Sequence, residues 1–481
     1  MVNIQDYSIF SPFSLQEGQW LSSIPISTKQ IGAFVNKLKK ATNSAVITAL
    51  GDSTGASATG WLIKLFRDKI GLSFPSYTVQ SRAWSDTDQK YADATTLHQI
   101  GTLGVRRFAC SGASTDRFFT VPDSAATSPV GDIDVRFKVM IPDVVLGFTL
   151  GGKYDTVTNN RSWFVQVNAT TGTLSLFFST DGLAGTQVTR TSTAGLPAQA
   201  IGVPVWIRTT LDVDNGAAGH TVNFYYSTDN TNWVAIGAPV VTAGVTSIFD
   251  STVATQFNSR GGAGNTAAAI EYYAFQLFSS LVAGSRPVID LDTAFWNGYG
   301  SNLRAGGSNI AQYTDFVGNT VQIDGTGQTG AMVGSPTLIL LNGSVSGQAI
   351  AYSNDVTRFP KQTPTPSDLA IINYSHNEVS TVFYRTVYKQ LADAIIAKWP
   401  DVGIIATAQN PRKSPAANIT EHAIRIDQVN ALAASQGYGL VDSYNTLAPH
   451  MELVSSDGIH PTDIGYDTIS NKAYGLFSPW L

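Results

Sequence analysis

Residues 45–54 read AVITALGDST, an apolar run interrupted only by Thr48 and closed by a glycine-led polar turn. A run without polar alternation suits a strand buried on both faces, the kind found in parallel sheets. Directly behind it, ASATGWLIKLFRDKIG (56–71) places Trp61, Leu62, Leu65, Phe66 and Ile70 at helical spacing. The unit is strand, turn, helix, with Ser53 in the turn. Upstream, Pro12, Gly18 and Pro25 break up an irregular arm, and Ser27 is placed to cap a helix carrying Ile31, Phe34, Val35 and Leu38. Downstream, YTVQSRAW (77–84) is a further strand candidate.

The same alternation resumes after Pro336. TLILLNG (337–343) and DLAIINYS (368–375) are strand-like, VSTVFYRTVYKQLADAIIAKW (379–399) is an amphipathic helix stopped by Pro400, and GIIATAQNP, a helix over about 420–435 and GLVDSY repeat the unit. Such βα units build a mainly parallel sheet. Between the two pieces the period is two: Ile133, Val135, Phe137, Val139 and Ile141 alternate with polar or small residues. WFVQV, TLSLFFS, VWIRTTLDV, TVNFYYS, WVAIG and IEYYAFQLF follow, separated by turns such as ATTG, STDG and DNGAAG. These strands predict a β-sandwich, with the Gly- and Asn-rich stretch from about 285 to 336 as its edge. The expected organisation is an arm and short helix (1–41), an α/β domain in two pieces (42–103 and 337–481), and an inserted sandwich (104–336).

Composition narrows the function. Only 14% of the residues are charged and 43 are glycine, a mix associated with β-rich extracellular or virion-type proteins. A net charge of −5 with scattered Lys and Arg offers no basic stripe for phosphates, so nucleic acid is not an expected partner. The single cysteine, Cys110, excludes an intrachain disulfide framework and reads as a small buried hydrophobe. MVNIQDYSIFSPFSLQEGQW has no positive segment followed by an apolar run, and no stretch approaches the roughly 20 apolar residues of a spanning helix. Neither a signal peptide nor a membrane span is expected.

A serine hydroxyl becomes a useful nucleophile when a base takes its proton and a third group orients that base. Ser53, between a buried strand and a helix N-terminus, is one candidate; GDST is equally readable as a capping turn, since Asp and Ser are good N-caps. SSDGIHPTDIGYDTIS (455–470) places Asp457 three residues before His460, ahead of a helix expected from about Pro461. That spacing lets a carboxylate reach Nδ1–H and leaves Nε2 pointing out, or else forms a plain capped turn with an exposed histidine. GTGQTG (325–330) fits a dinucleotide-binding pattern but reads as a hairpin loop, because AMVGSP rather than a helix follows. No G-x-S-x-G, H-E-x-x-H or P-loop occurs, and neither metal nor cofactor is expected.

Taken in order, GDS after the first strand, NGSVSGQ after a middle strand, NYSHNE after the next and DGIHP before the last helix resemble the four blocks of the SGNH (GDSL-type) hydrolases. The resemblance implies a three-layer α/β/α fold and a serine esterase. By it Ser53 is the nucleophile and first oxyanion donor through its N–H, Gly347 a second N–H donor, Asn377 a side-chain donor, His460 the general base and acid, and Asp457 its orienter. The third block departs from the family's Gly-x-Asn-Asp, with Ser375 and Glu378 at its ends, and Gly343 competes with Gly347. Gly347 is preferred because Ser-Gly before Gln-Ala-Ile reads as a turn entering a helix; His376 is assigned a structural role or a place in the pocket.

The insert resembles a concanavalin-type, laminin-G-like jelly roll, in phrases such as RSWFVQVNATTGTLSLFFSTDG and TVNFYYSTDNTNWVAIG. Its point of insertion predicts that it overhangs the catalytic face and adds a glycan-binding wall. An SGNH domain split in this way is similar to minor tail proteins of phages infecting actinobacteria. That similarity implies a virion or otherwise extracellular-acting protein, an acylated cell-surface polysaccharide or glycolipid as substrate, and other tail proteins as partners. The competing readings are an adsorption or structural tail protein with an idle hydrolase fold, and an acyltransferase.

Overall fold

The computed structural model describes residues 26–41, 43–99, 105–110, 118–257, 259–260, 263–264, 270–295, 312–315, 317–324, 331–378, 381–413 and 415–481. The expected irregular arm, the GTGQTG loop and much of the Gly- and Asn-rich stretch after 295 lie outside the described residues.

Ala45–Gly51 forms β1, buried along its whole length. With β2 (Thr78–Ser85), β3 (Thr337–Asn342), β4 (Leu369–Asn373), β5 (Gly403–Ala408) and β6 (Gly439–Asp442) it makes a sheet in the order β2-β3-β1-β4-β5-β6. All five pairings along that path are parallel. Beyond β2 the short strands Lys90–Tyr91 and Thr95–Gln99 add antiparallel edges.

Alternate residues of the sheet point to opposite faces, and the two faces are covered differently. On one face, helices α1 (Ile26–Lys40), α2 (Trp61–Lys64, continuing through a wider π turn to Ile70) and α5 (Asp463–Tyr474) pack on Ile47, Ala49, Leu338, Leu340, Ile371 and Ile405. On the other, α3 (Tyr384–Lys398) and α4 (Ala416–Gln436) cover only the β4–β5 half, through Ala370, Ile372, Ile404 and Ala406. The remaining half, with Val46, Trp84, Ile339 and Leu341, joins the hydrophobic core of the inserted β-structure. The expected three-layer α/β/α arrangement is corrected accordingly: the second outer layer is half helix and half β-sheet.

The β-structure comprises two large antiparallel sheets, so most of the pairings among the described residues are antiparallel. One runs in the order Val188–Gly195, Thr173–Gly182, Asn160–Val167, Phe148–Asp155, Thr255–Phe257, Phe118–Val121, Thr320–Asp324, Gln312–Thr314. The other is centred on Gly219–Ser227, Pro204–Asp212, Ile133–Met140 and Glu271–Phe278. Their inner faces share one core, in which Ile133, Val135, Phe137 and Val139 are fully buried beside Cys110. The strand expected over WVAIG is only Val234–Ala235.

Sheet membership changes between Gln99 and Arg107 and changes back between Val333 and Thr337. The insert is anchored along the flank of the α/β sheet: Ser44 Oγ donates to Ala294 O (2.7 Å), and Arg82 pairs with Asp292. Ser44 stands at the amino end of β1 and Arg82 within β2, while Arg286, Pro287 and Asp290 lie beside Lys90 and Tyr91 beyond the carboxyl end of β2. No helix among the described residues is long and apolar enough to cross a membrane.

Candidate active site

Strand order places the site. The helix after β1 packs on one face of the sheet and the helix after β4 on the other, although the two strands are neighbours. Adjacent strands whose connections diverge leave a crevice at their carboxyl ends, the usual location of a ligand site in open α/β sheets. Ser53 follows β1 and Asn377 follows β4.

At the end of β1, Asp52 caps a four-residue helical turn, Ser53–Ala56, its carboxylate accepting from Thr54 N–H (3.1 Å) and Thr54 Oγ1 (2.9 Å). Both sequence alternatives therefore hold at once: the turn is capped, and because Asp52 does the capping the Ser53 side chain is free for another partner. The N–H groups of Thr54, Gly55 and Ala56 are all bonded to Asp52, and among the described residues the Ser53 N–H is the one of this turn left without a partner. Gly55 allows this turn to sit close to its neighbours, since a Cβ there would lie 2.6 Å from Ser344 Oγ.

The other half of the site is a loop rather than a helix start. α5 begins at Asp463, capped by Thr462. Before it, Ser455 N–H donates to His460 O (2.7 Å) and Gly458 N–H to Ser455 O (3.1 Å), closing a tight DGIH turn. Asp457 Oδ1 accepts from Ser455 Oγ (2.7 Å), Ile459 N–H (2.8 Å) and His460 N–H (2.9 Å), while Oδ2 meets His460 Nδ1 at 2.6 Å. Partial burial pushes the Asp457 pKa up, but these donors outweigh it and hold the carboxyl well below the usual carboxylate range. A carboxylate only accepts, so Nδ1 carries the proton and Nε2 of the neutral ring is the acceptor. It faces Ser53 Oγ at 2.8 Å. Residues 407 positions apart thus form a continuous Ser53–His460–Asp457 relay.

The loop after β3 is fastened to the end of β1 by Gly343 N–H to Ala49 O (2.7 Å) and Val345 N–H to Gly51 O (2.8 Å). The first bond occupies the Gly343 N–H, which removes Gly343 as a competing oxyanion donor. Gly347 lies in the exposed turn beyond, at φ +76°, and among the described residues its N–H has no hydrogen-bond partner. The expected helix after it is a single 3-10 turn, Ile350–Tyr352. Asn377 reaches this turn from β4: its Nδ2 lies 3.4 Å from Gln348 O, too long for a strong bond and leaving the amide available. Glu378, where the family pattern has Asp, accepts from Ile350 N–H (2.7 Å) and so ties the two loops together; burial raises its pKa.

His376 is structural. It is buried and stacks on His422 with ring centroids 4.3 Å apart and planes 13° from parallel. Burial drives both imidazoles toward neutrality, His376 well below the ordinary range and His422 down to about 4.

Sequence reasoning missed the loop after β5. Asn410 Nδ2 donates to Ile459 O (2.7 Å), Lys413 N–H to Gly458 O (2.7 Å), and Arg412 Nη1 to His376 O (3.0 Å). This loop thereby holds the His460 turn against the Asn377 loop. Its only signal in the sequence is position, at the carboxyl end of a buried strand. No group of acidic, His or Cys side chains that could hold a metal ion occurs among the described residues.

No family model matches the chain, and no curated protein does. Solved structures that it resembles include ester hydrolases. A peptidoglycan O-acetylesterase aligns over 95% of this chain and 96% of its own at 10% identity and a TM-score of 0.35. A lipase/acylhydrolase from Enterococcus faecalis covers 29% of this chain and 75% of its own (14% identity, TM-score 0.25). An acetylxylan esterase from Geobacillus stearothermophilus covers 29% and 73% (13% identity, TM-score 0.25).

Proposed function

We propose that the protein is a serine esterase of the SGNH type that removes acyl groups, acetyl in the first place, from a cell-surface glycan. The observation that carries this reading is the relay from Ser53 Oγ through both ring nitrogens of His460 to Asp457. His460 Nε2 takes the serine proton as Oγ attacks the ester carbonyl. The tetrahedral oxyanion is held by Ser53 N–H, Gly347 N–H and the Asn377 amide, groups aimed at charge that exists only in the transition state. Protonated His460 then gives its proton to the departing sugar oxygen. Water, deprotonated by the same ring, hydrolyses the acyl-enzyme, with Asp457 stabilising the imidazolium in both halves.

The division at residues 104 and 336, the jelly-roll character of the insert, its use as a glycan-binding wall and a setting on a phage tail belong to the same proposal and rest on the sequence resemblance. The second reading, a glycan-binding tail protein with an idle hydrolase fold, is disfavoured by the assembled relay, since an idle site has no need to keep three side chains in register. Ser53→Ala is expected to lower turnover of p-nitrophenyl acetate by at least about 10³-fold and to abolish covalent labelling by a fluorophosphonate. Unchanged turnover in that variant, or a wild-type chain that is neither active nor labelled, rejects the assignment.

A further inference from the structure

We infer that Gln409 is a positioning residue that sets the nucleophile turn against the oxyanion-donor loop. The inference rests on the esterase reading above and deepens it. Gln409 ends the run after β5 and is buried. Its Nε2 donates toward Asp52 Oδ1 (2.9 Å), Thr54 Oγ1 (2.8 Å) and Asn373 O (2.9 Å). Its Oε1 accepts from Ser375 Oγ (2.6 Å) and His376 N–H (2.9 Å). The amide therefore faces acceptors on both sides of Ser53 with its nitrogen, and donors immediately before Asn377 with its oxygen. A carboxamide has that polarity in one planar group at every pH, whereas a carboxyl group has it only when protonated. Ser375, which replaces the family's glycine, is one of the two donors, so the departure at that position has a use: it supplies a hydroxyl that a glycine lacks.

Neither Ser53 nor Asn377 touches Gln409 in this set of bonds. Its effect is on where they stand, and a displacement of about 1 Å at a reacting centre costs on the order of 10²-fold in rate.

Two variants separate positioning from mere support. Gln409→Leu removes every bond and is expected to lower kcat for p-nitrophenyl acetate by about 10²-fold, with KM changed little, because the oxyanion contacts are made only in the transition state. Gln409→Glu keeps the shape but points a carboxyl at Asp52. When protonated it still donates to Asp52 Oδ1; when ionised it repels it. The other titratable groups around this knot are His376, Glu378 and Tyr374 on the loop after β4, Tyr384 from α3, Arg425 from α4 and Tyr466 from α5. All are present in the wild type, so a limb seen only in the variant reports the introduced carboxyl together with the groups coupled to it. The expected signature is a new alkaline limb: kcat of the Gln409→Glu variant falls as pH rises where the wild type stays level.

Urea unfolding and fluorophosphonate-titrated active fraction control for loss of folded protein. A Gln409→Glu profile parallel to the wild type, or a Gln409→Leu variant with wild-type kcat per labelled site, overturns the inference. An inactive, unlabelled wild type would instead reject the esterase reading itself.

Discussion

At the residue scale, the chemistry depends on which oxygen of Asp457 does what. Oδ1 is committed to three donors, so an asparagine at this position must keep its carbonyl there and turn its NH₂ toward His460 Nδ1. Nδ1 would then have to accept, the ring proton would move to Nε2, and Ser53 would face a donor in place of a base. Asp457→Asn is expected to keep the fold and lose up to about 10⁴-fold in kcat, checked by circular dichroism beside steady-state kinetics; a loss under tenfold would mean that Asp457 does not set the tautomer. The residue types were legible in the sequence because Ser, Asp, His and Asn stand in a known order. The pairing of Ser53 with His460 was legible only through that order, since each turn alone reads equally well as a capped turn.

At the element scale, the loops after β1, β3, β4 and β5 and the turn before α5 are held by one another more than by the strands they leave. Strand runs are visible in the sequence because burial on both faces demands continuous apolar residues, as in β1 and β4. Helix starts are less visible: α3, expected from 379, begins at Tyr384, in keeping with the poor helix propensity of the β-branched Thr381 and Val382. The stacked pair of His376 and His422 gives this loop layer a pH dependence. Their folded pKa values lie below the ordinary histidine value, so the stability they lend is complete above about pH 6.5 and is lost as pH falls, when the unfolded chain takes up protons first. With His422 brought down to about 4, its own contribution falls by on the order of 3 kcal/mol between about pH 6.5 and 4, while buried Asp290, raised to about 7, acts in the opposite sense. Asp457, held low by its donors, contributes its loss only below about pH 4. Urea midpoints across this range provide the check, and a His422→Gln variant should show a shallower acid limb; an equally steep one would remove the histidine pair as its source.

At the scale of the whole molecule, the insert substitutes for part of a helix layer. Val46, Trp84, Ile339 and Leu341 are buried in its core, and each large apolar side chain exposed costs about 1.5–3 kcal/mol, a sum comparable to the stability of an ordinary domain. Joining the flanking pieces across residues 104–336 is therefore expected to yield an aggregated or uncooperatively unfolding chain, seen by gel filtration and thermal melts. A monomeric shortened chain with wild-type esterase activity would show the insert to be a detachable module. The sequence by itself determined the alternation of elements, the two periods and the candidate chemistry, because burial patterns and residue types are local properties of a chain. Only the tertiary structure decided that β1 lies between β3 and β4, that the β-structure of 105–333 lies against the sheet flank, and at what distance Ser53 meets His460. These depend on strand order and on loops converging from distant positions, and the energy that selects them comes from packing between elements, which no single segment records.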